Sequence, residues 1–220
     1  MIYRIIFILA CWLIILPAVS LGLELEKETF SSKNFAGVRI GAWTNAGDEA
    51  IPEESEFSSE FSNSSVFAEF FYSHRIATPL AVEISLGIYS RGDVEYYSTS
   101  DVFVGAVNIY PIFVSAKLYP LYSFKNLPFY LYAQPGFGLV YASQSIIDYD
   151  DYYYYYYGYT AADSETKFTY SLGAGVEMPV ATQIGLTMNF RYIPVKFGNP
   201  LAEIEDYSGW TLTVGAGYIF

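Results

Sequence analysis

The stretch from Gly209 to Phe220 constrains the fold more than any other part of the chain. It alternates strictly. Trp210, Leu212, Val214, Ala216, Tyr218 and Phe220 fall on one face, and Gly209, Thr211, Thr213, Gly215 and Gly217 on the other, where Ile219 is the one large apolar residue. A period of two marks a strand with a different solvent on each face. A soluble barrel turns its bulky apolar face inward to fill the core. Here the bulky face is bounded by aromatics and the other face is nearly all Gly and Thr. Small residues fit a narrow, crowded interior, and bulky apolar ones fit lipid. The pattern predicts a strand of a transmembrane β-barrel.

The first twenty residues point the same way. Arg4 is followed by a continuous apolar run from Ile5 to Leu16, then Pro17 and the small residues Ala18-Val19-Ser20. That is the layout of a secretory signal peptide cleaved after Ser20. Two other readings stay open: an uncleaved transmembrane helix, because the uncharged stretch continues to Leu23, and a lipoprotein box at Ile8-Leu9-Ala10-Cys11. Cleavage after Ser20 removes Cys11, the only cysteine, and leaves no thiol for a disulfide or for catalysis. The expected organisation is signal peptide 1–20, periplasmic N-terminal segment 21–34 and outer-membrane barrel 35–220.

Composition agrees. Aromatics make up 20% of the 220 residues and charged residues 15%, against about 25% charged in an average soluble domain. No second run of about 18 apolar residues is present, which argues against a helical membrane protein. The net charge of −12 argues against nucleic acid as a partner, since that surface has to be basic.

Seven further alternating segments can be read: 35–43, 66–73, 80–91, 102–119, 129–142, 167–178 and 183–193. Each is close to the roughly 9–11 residues that a tilted membrane strand needs. Their outward positions are apolar, as in Val66-Ala68-Phe70-Tyr72 and Ile184-Leu186-Met188-Phe190-Tyr192. Pro111 cannot donate to a ladder and predicts a bulge or irregularity, and Pro135 predicts a less regular fifth strand. The connections 44–64 and 143–166 are long, 92–101 and 194–207 intermediate, and 74–79, 120–128 and 179–182 short. This alternation suits a barrel with long loops outside and short turns in the periplasm. Trp43, Tyr141, Phe168, Tyr170, Tyr192 and Trp210 are candidates for an upper aromatic girdle, and Tyr72, Tyr119, Phe129, Tyr218 and Phe220 for a lower one.

These features together resemble the family of small eight-stranded outer-membrane β-barrels that includes OmpX, Ail and the membrane domain of OmpA. The carriers are the signal peptide, the alternation of loop lengths and Trp210-x-Leu212-x-Val214-x-Ala216-x-Tyr218-x-Phe220. The segments Ile112 to Tyr119 and Phe129 to Gly138 also resemble generic outer-membrane protein β-barrel domains. The resemblance implies an all-β, antiparallel up-and-down barrel of eight strands. It implies Tyr218 and Phe220 as a signal for the barrel-assembly machinery, residence in the outer membrane of a Gram-negative-type bacterium, outer-membrane lipid as the surroundings, and a monomer.

Six charges occupy inward positions: Arg39, Lys117 and Arg191 against Glu69, Glu83 and Glu177. Glu83 and Lys117 sit on neighbouring strands, as do Arg39 and Glu69. An eight-stranded barrel is just wide enough for side chains to fill it, and a buried charge needs a partner. The six are expected to form a salt-bridge network that closes the lumen, with a narrow pore as the alternative.

An enzyme is not expected. The only histidine is His74, which the reading places in the first periplasmic turn, away from any site at the outer leaflet where a His general base would act. No cofactor is expected, and no His-ligated metal site is supported. Segment 44–64 carries Asp48, Glu49, Glu53, Glu54, Glu56 and Glu60 with no Lys or Arg. Segment 143–166 carries acids around Tyr149, Tyr152, Tyr153, Tyr154, Tyr155, Tyr156, Tyr157 and Tyr159. The acids lack EF-hand spacing. The tyrosines favour strand structure, so strands five and six are expected to continue above the membrane as a hairpin. Tyrosine also supplies rigid contact area, which makes this loop a candidate contact surface for an extracellular protein or glycan. The resulting expectation is a structural and surface-interaction barrel, with a small porin-like channel for ions or hydrophobic solutes as the alternative.

Overall fold

The computed structural model describes residues 34–44, 66–77, 79–97, 102–121, 129–149, 160–201 and 204–220. Eight long strands close into one antiparallel barrel: β1 (Phe35–Thr44), β2 (Val66–Ala77), β3 (Leu80–Tyr97), β4 (Val102–Leu118), β5 (Tyr130–Tyr149), β6 (Thr160–Ala181), β7 (Ile184–Ile193) and β10 (Gly209–Ile219). Each pairs with its sequence neighbour along the wall, and β1 closes the ring against β10, from Phe35↔Ile219 to Thr44↔Trp210. Asn34 and Phe220 exchange a reciprocal pair of backbone hydrogen bonds at 2.7 and 2.9 Å. Both ends of the barrel sequence therefore lie at one rim, here called the terminal rim. Between β7 and β10 a small hairpin, β8 (Lys196–Leu201) with β9 (Ile204–Asp206), sits at the opposite rim.

The period-two reading of the faces matches the wall. Phe70, Leu86, Ile112, Phe137, Leu172, Phe190 and Val214 are exposed on the outside, while Glu69, Ser85, Phe113, Ser171, Asn189 and Thr213 are buried inside. Apolar side chains left exposed on a continuous outer band are what a lipid surround favours.

β5 and β6 run on as a paired hairpin to Ile147↔Thr160, as expected from the tyrosine-rich segment. Other strands differ from the sequence reading in length: β3, read to Arg91, continues and pairs with β4 as far as Tyr97↔Val102. β2 continues to Ala77, so His74 is a strand residue and not a turn residue; its ring Nδ1 lies 2.7 Å from Asn34 Oδ1. The residues 196–206, read as plain loop, form the β8–β9 hairpin.

The irregularity expected at Pro111 is a gap and not a bulge: the β3–β4 ladder passes from Leu86↔Ile112 to Tyr89↔Ile109 in one register with no pair between, while Pro111 pairs with Val140 on its other side. The ring is accommodated because Gly87 stands opposite: a Cβ there would lie 2.7 Å from Pro111 Cγ. The β3–β4 register shift falls between Arg91 and Val94. β5 is less regular at Pro135, as expected: its ladder with β4 passes from Ser115↔Gly136 to Leu118↔Ala133, while Pro135 pairs with Leu172 of β6.

Candidate functional site

The lumen is organised in three layers, and its middle layer holds all six inward charges. β1, β2, β3, β4, β6 and β7 each contribute one. Arg39 on β1 donates to Glu69 Oε1 on β2 at 2.7 Å and to Glu83 Oε2 on β3 at 2.5 Å. Glu83 also accepts from Lys117 on β4. The Lys117 ammonium lies 2.5 Å from Glu177 Oε1 on β6. At the other end Arg191 on β7 pairs with the second oxygen of Glu69. The result is one unbranched chain of alternating sign: Arg191, Glu69, Arg39, Glu83, Lys117, Glu177.

Every member is buried, with 0 to 1% of its surface exposed. A charge removed from water this completely is tolerated only when paired and hydrogen-bonded on its remaining atoms. Uncharged neighbours supply those bonds to the carboxylates, while Arg39 Nε and Arg191 Nε are left without a partner. Gln134 donates to Glu83 Oε1 at 2.8 Å, and Tyr119 donates to Glu177 Oε2 at 2.8 Å. Asn189 donates to Gln134 Oε1 at 2.5 Å and to the Tyr132 hydroxyl at 3.0 Å. Aromatic faces cover the cations: Arg39 Cζ lies 3.9 Å from the Phe71 ring centre, and Lys117 Nζ lies 4.6 Å from that of Tyr132.

The layers on either side are apolar. Toward the terminal rim Phe35, Phe71, Tyr119, Tyr130, Tyr132 and Ile219 form one cluster. Toward the opposite rim Trp43, Phe67, Tyr89, Ile109, Phe113 and Val140 form another, which continues into Val195, Phe197, Leu201, Ile204 and Tyr207 of the small hairpin. Trp43 packs edge-on to Phe67 at 5.7 Å and against Tyr89 at 5.0 Å. Gly209 opposite leaves the space for its indole, since a Cβ there would lie 2.5 Å from Trp43 Nε1. Tyr132 finds room because Gly175, its partner on the neighbouring strand β6, has no side chain to strike it.

These ring layers were missed in the sequence. Trp43 and Tyr119, assigned there to the girdles, are 1% and 2% exposed and point inward. Their parity gives this away: Trp43 stands in step with Arg39, and Tyr119 with Lys117. The remaining rings do form two outer belts. Tyr141, Phe168, Tyr170 and Trp210 are exposed at one end, and Tyr72, Tyr218 and Phe220 at the other. Trp210 stacks on Phe190 at 4.7 Å.

The β8–β9 hairpin is held over the rim by side chains more than by strand pairing. Glu165 of β6 accepts from the Gly198 and Asn199 backbone N–H groups at 2.8 and 2.9 Å. Those two hydrogen bonds hold its carboxyl below the usual range. Lys196 pairs with Asp206 at 2.7 Å, and the Tyr207 hydroxyl donates to the Leu201 carbonyl at 2.6 Å. Burial pushes the Asp206 carboxyl up, but the bonds from Lys196 and Ser208 outweigh it and hold it low.

Other sequence candidates are placed as follows. Tyr218 and Phe220 lie on the lipid face of the closing strand, their rings 6.1 Å apart. Tyr149 ends β5. Tyr152 to Tyr157 and Tyr159, the acidic segment 45–65 and the signal segment 1–20 lie outside the described residues. Among the described residues no group of three or more His, Cys, Asp or Glu side chains is arranged to hold a metal ion.

Residues 17–220 match the family model described as outer membrane protein beta-barrel domain. Three solved structures share the fold. The outer membrane protein OprG from Pseudomonas aeruginosa superposes with a TM-score of 0.54 at 14% identity, covering 86% of this chain and 97% of its own. Neisserial surface protein A gives 0.50 at 16% identity, covering 86% and 98%. The attachment invasion locus protein Ail of Yersinia pestis, in complex with the heparin analogue sucrose octasulfate, gives 0.50 at 14% identity, covering 86% and 99%. No curated protein matches the chain in sequence.

Proposed function

The chain belongs to the outer membrane protein β-barrel domain family, and from that premise we propose that it is a closed barrel whose work is surface contact, carried by the strands that rise above the membrane. It is an outer-membrane protein embedded in lipid. The observation that carries the proposal is the unequal height of the wall. The β2–β3 ladder ends at Val66↔Ser90 and the β6–β7 ladder at Leu172↔Tyr192. The ladders among β3, β4, β5 and β6 continue to Tyr97↔Val102, Val102↔Tyr149 and Ile147↔Thr160. A four-stranded sheet thus stands clear of the barrel. Beyond Arg91, β3 has a ladder partner on one side only among the described residues. Exposed strand edges are templates for an incoming strand, and the tyrosine-rich tip of β5–β6 adds contact area. Extracellular protein or glycan is the partner class; the complex of Ail with a heparin analogue makes a sulfated glycan one of the probes to use.

The closed-lumen part of the proposal rests on the two ring layers and the paired charges between them. On this reading the barrel is a structural scaffold, without an enzymatic role and working as a monomer. A small channel for ions or hydrophobic solutes is the second reading, and the charged middle layer is what speaks for it.

The test pairs two measurements. Residues 145–163 are replaced by a short Gly-Ser linker. Cells carrying either protein are compared for binding to a panel of extracellular-matrix proteins and sulfated glycans, and both proteins are refolded into planar bilayers for conductance. Loss of binding with no ohmic pore in either protein is expected. Equal binding together with steady conductance of the native protein would replace the contact reading with the channel.

A further inference from the structure

Above Leu172↔Tyr192 the wall between β6 and β7 parts. β7 ends at Ile193, and the chain turns away through Pro194 and Val195 into the small hairpin, while β6 continues upward. The Thr169 hydroxyl donates to the Pro194 carbonyl across the parting. In front of this seam lies a groove of about 470 Å³, lined by Lys167, Phe168, Tyr170, Tyr192, Lys196 and Asp206 among others.

Its position and its charge define what fits. Phe168 and Tyr170 are 67% and 53% exposed, and Tyr192 packs on Trp210 at 4.8 Å. The groove therefore opens at the height of the aromatic belt, where hydrocarbon gives way to headgroups. Three lysines occur among the described residues. Lys117 is sealed in the lumen, and both others line this groove. Lys167 makes no ion pair among the described residues, and Lys196 shares its charge with Asp206 at the groove's edge. In a chain of net charge −12, both remaining lysines of the described residues stand here beside exposed rings, which makes this wall cationic at the belt.

We propose that this groove seats one lipid of the leaflet at the loop rim whose phosphate-bearing headgroup carries a net negative charge, its phosphate against Lys167 and Lys196 and its acyl chain along Phe168, Tyr170 and Tyr192. The site depends on membrane embedding and not on the contact function proposed above.

Trp210 supplies the readout, because it touches Tyr192 and is 42% exposed on the lipid face. The full protein is refolded into phosphatidylcholine vesicles containing brominated phosphatidylglycerol or brominated phosphatidylcholine. Quenching of Trp210 is measured, with Trp210→Phe as the control for the other tryptophans. The anionic lipid should be favoured by roughly fivefold for each lysine in contact with the phosphate, and the preference should shrink as salt is raised. Lys167→Gln together with Lys196→Gln should abolish it, with each single variant intermediate. Equal quenching by the two lipids in the native protein overturns the site, as does an unchanged preference in the double variant. Displacement of the preference by millimolar inorganic phosphate also overturns it, since that identifies a free-anion site.

Discussion

Arg39 and Glu83 meet at 2.5 Å although β2 lies between their strands. The guanidinium spans that distance by pairing with Glu69 on the way, so one side chain ties three consecutive strands together from the inside.

That bracing should be large in unfolding experiments. Arg39→Met leaves Glu69 and Glu83 each short of a counterion in a site without water access. A cost of about 3–5 kcal/mol is expected, read by urea unfolding in lipid vesicles. A cost below about 1 kcal/mol would mean that water reaches the middle layer.

The two faces of β10 should respond in opposite ways. Leu212→Arg puts a charge on the lipid face and should cost about 2–4 kcal/mol at mid-depth. Thr213→Val, one residue on, removes a buried hydroxyl that has no hydrogen-bond partner. Replacing such a group with an isostere is close to neutral. Similar penalties in the same unfolding assay would contradict the assigned faces.

Packing in the terminal-rim layer should be sensitive to small additions. Gly175→Val drives a side chain into the Tyr132 ring and should cost about 1–3 kcal/mol. Ala174→Val, on the outer face beside it, should change little. Loss of the near-ultraviolet circular dichroism of the lumen tyrosines would accompany only the first.

The hairpin clasp should open in acid. Glu165 is held below its ordinary value of 4.5 by the Gly198 and Asn199 amides. A depressed carboxyl contributes fully above its ordinary value, and the contribution is lost as pH falls through the lower folded value. Amide exchange at Gly198 and Asn199 should stay protected from pH 7 down to about pH 4.5 and rise below that. Glu165→Ala should expose both amides at every pH. Protection that is independent of pH and of this substitution would show that other contacts hold the hairpin.

Tyr218 and Phe220 are proposed as the segment read during assembly. Phe220→Ala with Tyr218→Ala should lower the heat-modifiable, folded fraction recovered from outer membranes, while refolding into vesicles without the assembly machinery is much less affected. Equal losses in both settings would assign these rings to stability alone.

Period two made most of the wall legible. Val38, Phe70, Leu86, Val114, Leu172 and Val214 face lipid because a strand has two sides and the sequence colours them differently. The six luminal charges were legible for the same reason, as were the neighbour pairs Arg39–Glu69 and Glu83–Lys117. The cross-lumen partners Arg191 and Glu177 were not, because pairing across a bore depends on barrel width and stagger. The ring layers went unread because an inward Phe67 or Phe113 looks identical in sequence to an outward Phe70. Only strict counting along the strand separates them, and Trp43 and Tyr119 were judged by their place near a strand end. The rise of β5 and β6 was legible from the β propensity of the tyrosine run, but β3 was underread where it leaves the membrane, since the lipid-face pattern that marked it stops there. The irregularity at Pro111 was legible, but not that it would be a gap without a bulge, because the vacant space at Gly87 is a relation between strands, invisible along either one.

The order of the charges has a consequence for how the protein enters the membrane. Arg39, Glu69, Glu83 and Lys117 come from β1 to β4 and can neutralise one another in an open sheet. Glu177 on β6 reaches Lys117 over β5 alone, the same two-strand span as Arg39 to Glu83. Arg191 comes last, and its partner Glu69 on β2 stands beyond β10 and β1 in the closed ring. A growing sheet therefore meets its last ionic debt only by curling until β7 faces β2. Curling and neutralisation become the same event, so an incompletely rolled sheet keeps a guanidinium that it cannot take into hydrocarbon. The lumen chemistry thereby acts as a checkpoint on insertion: strands that fail to roll stay at the water interface.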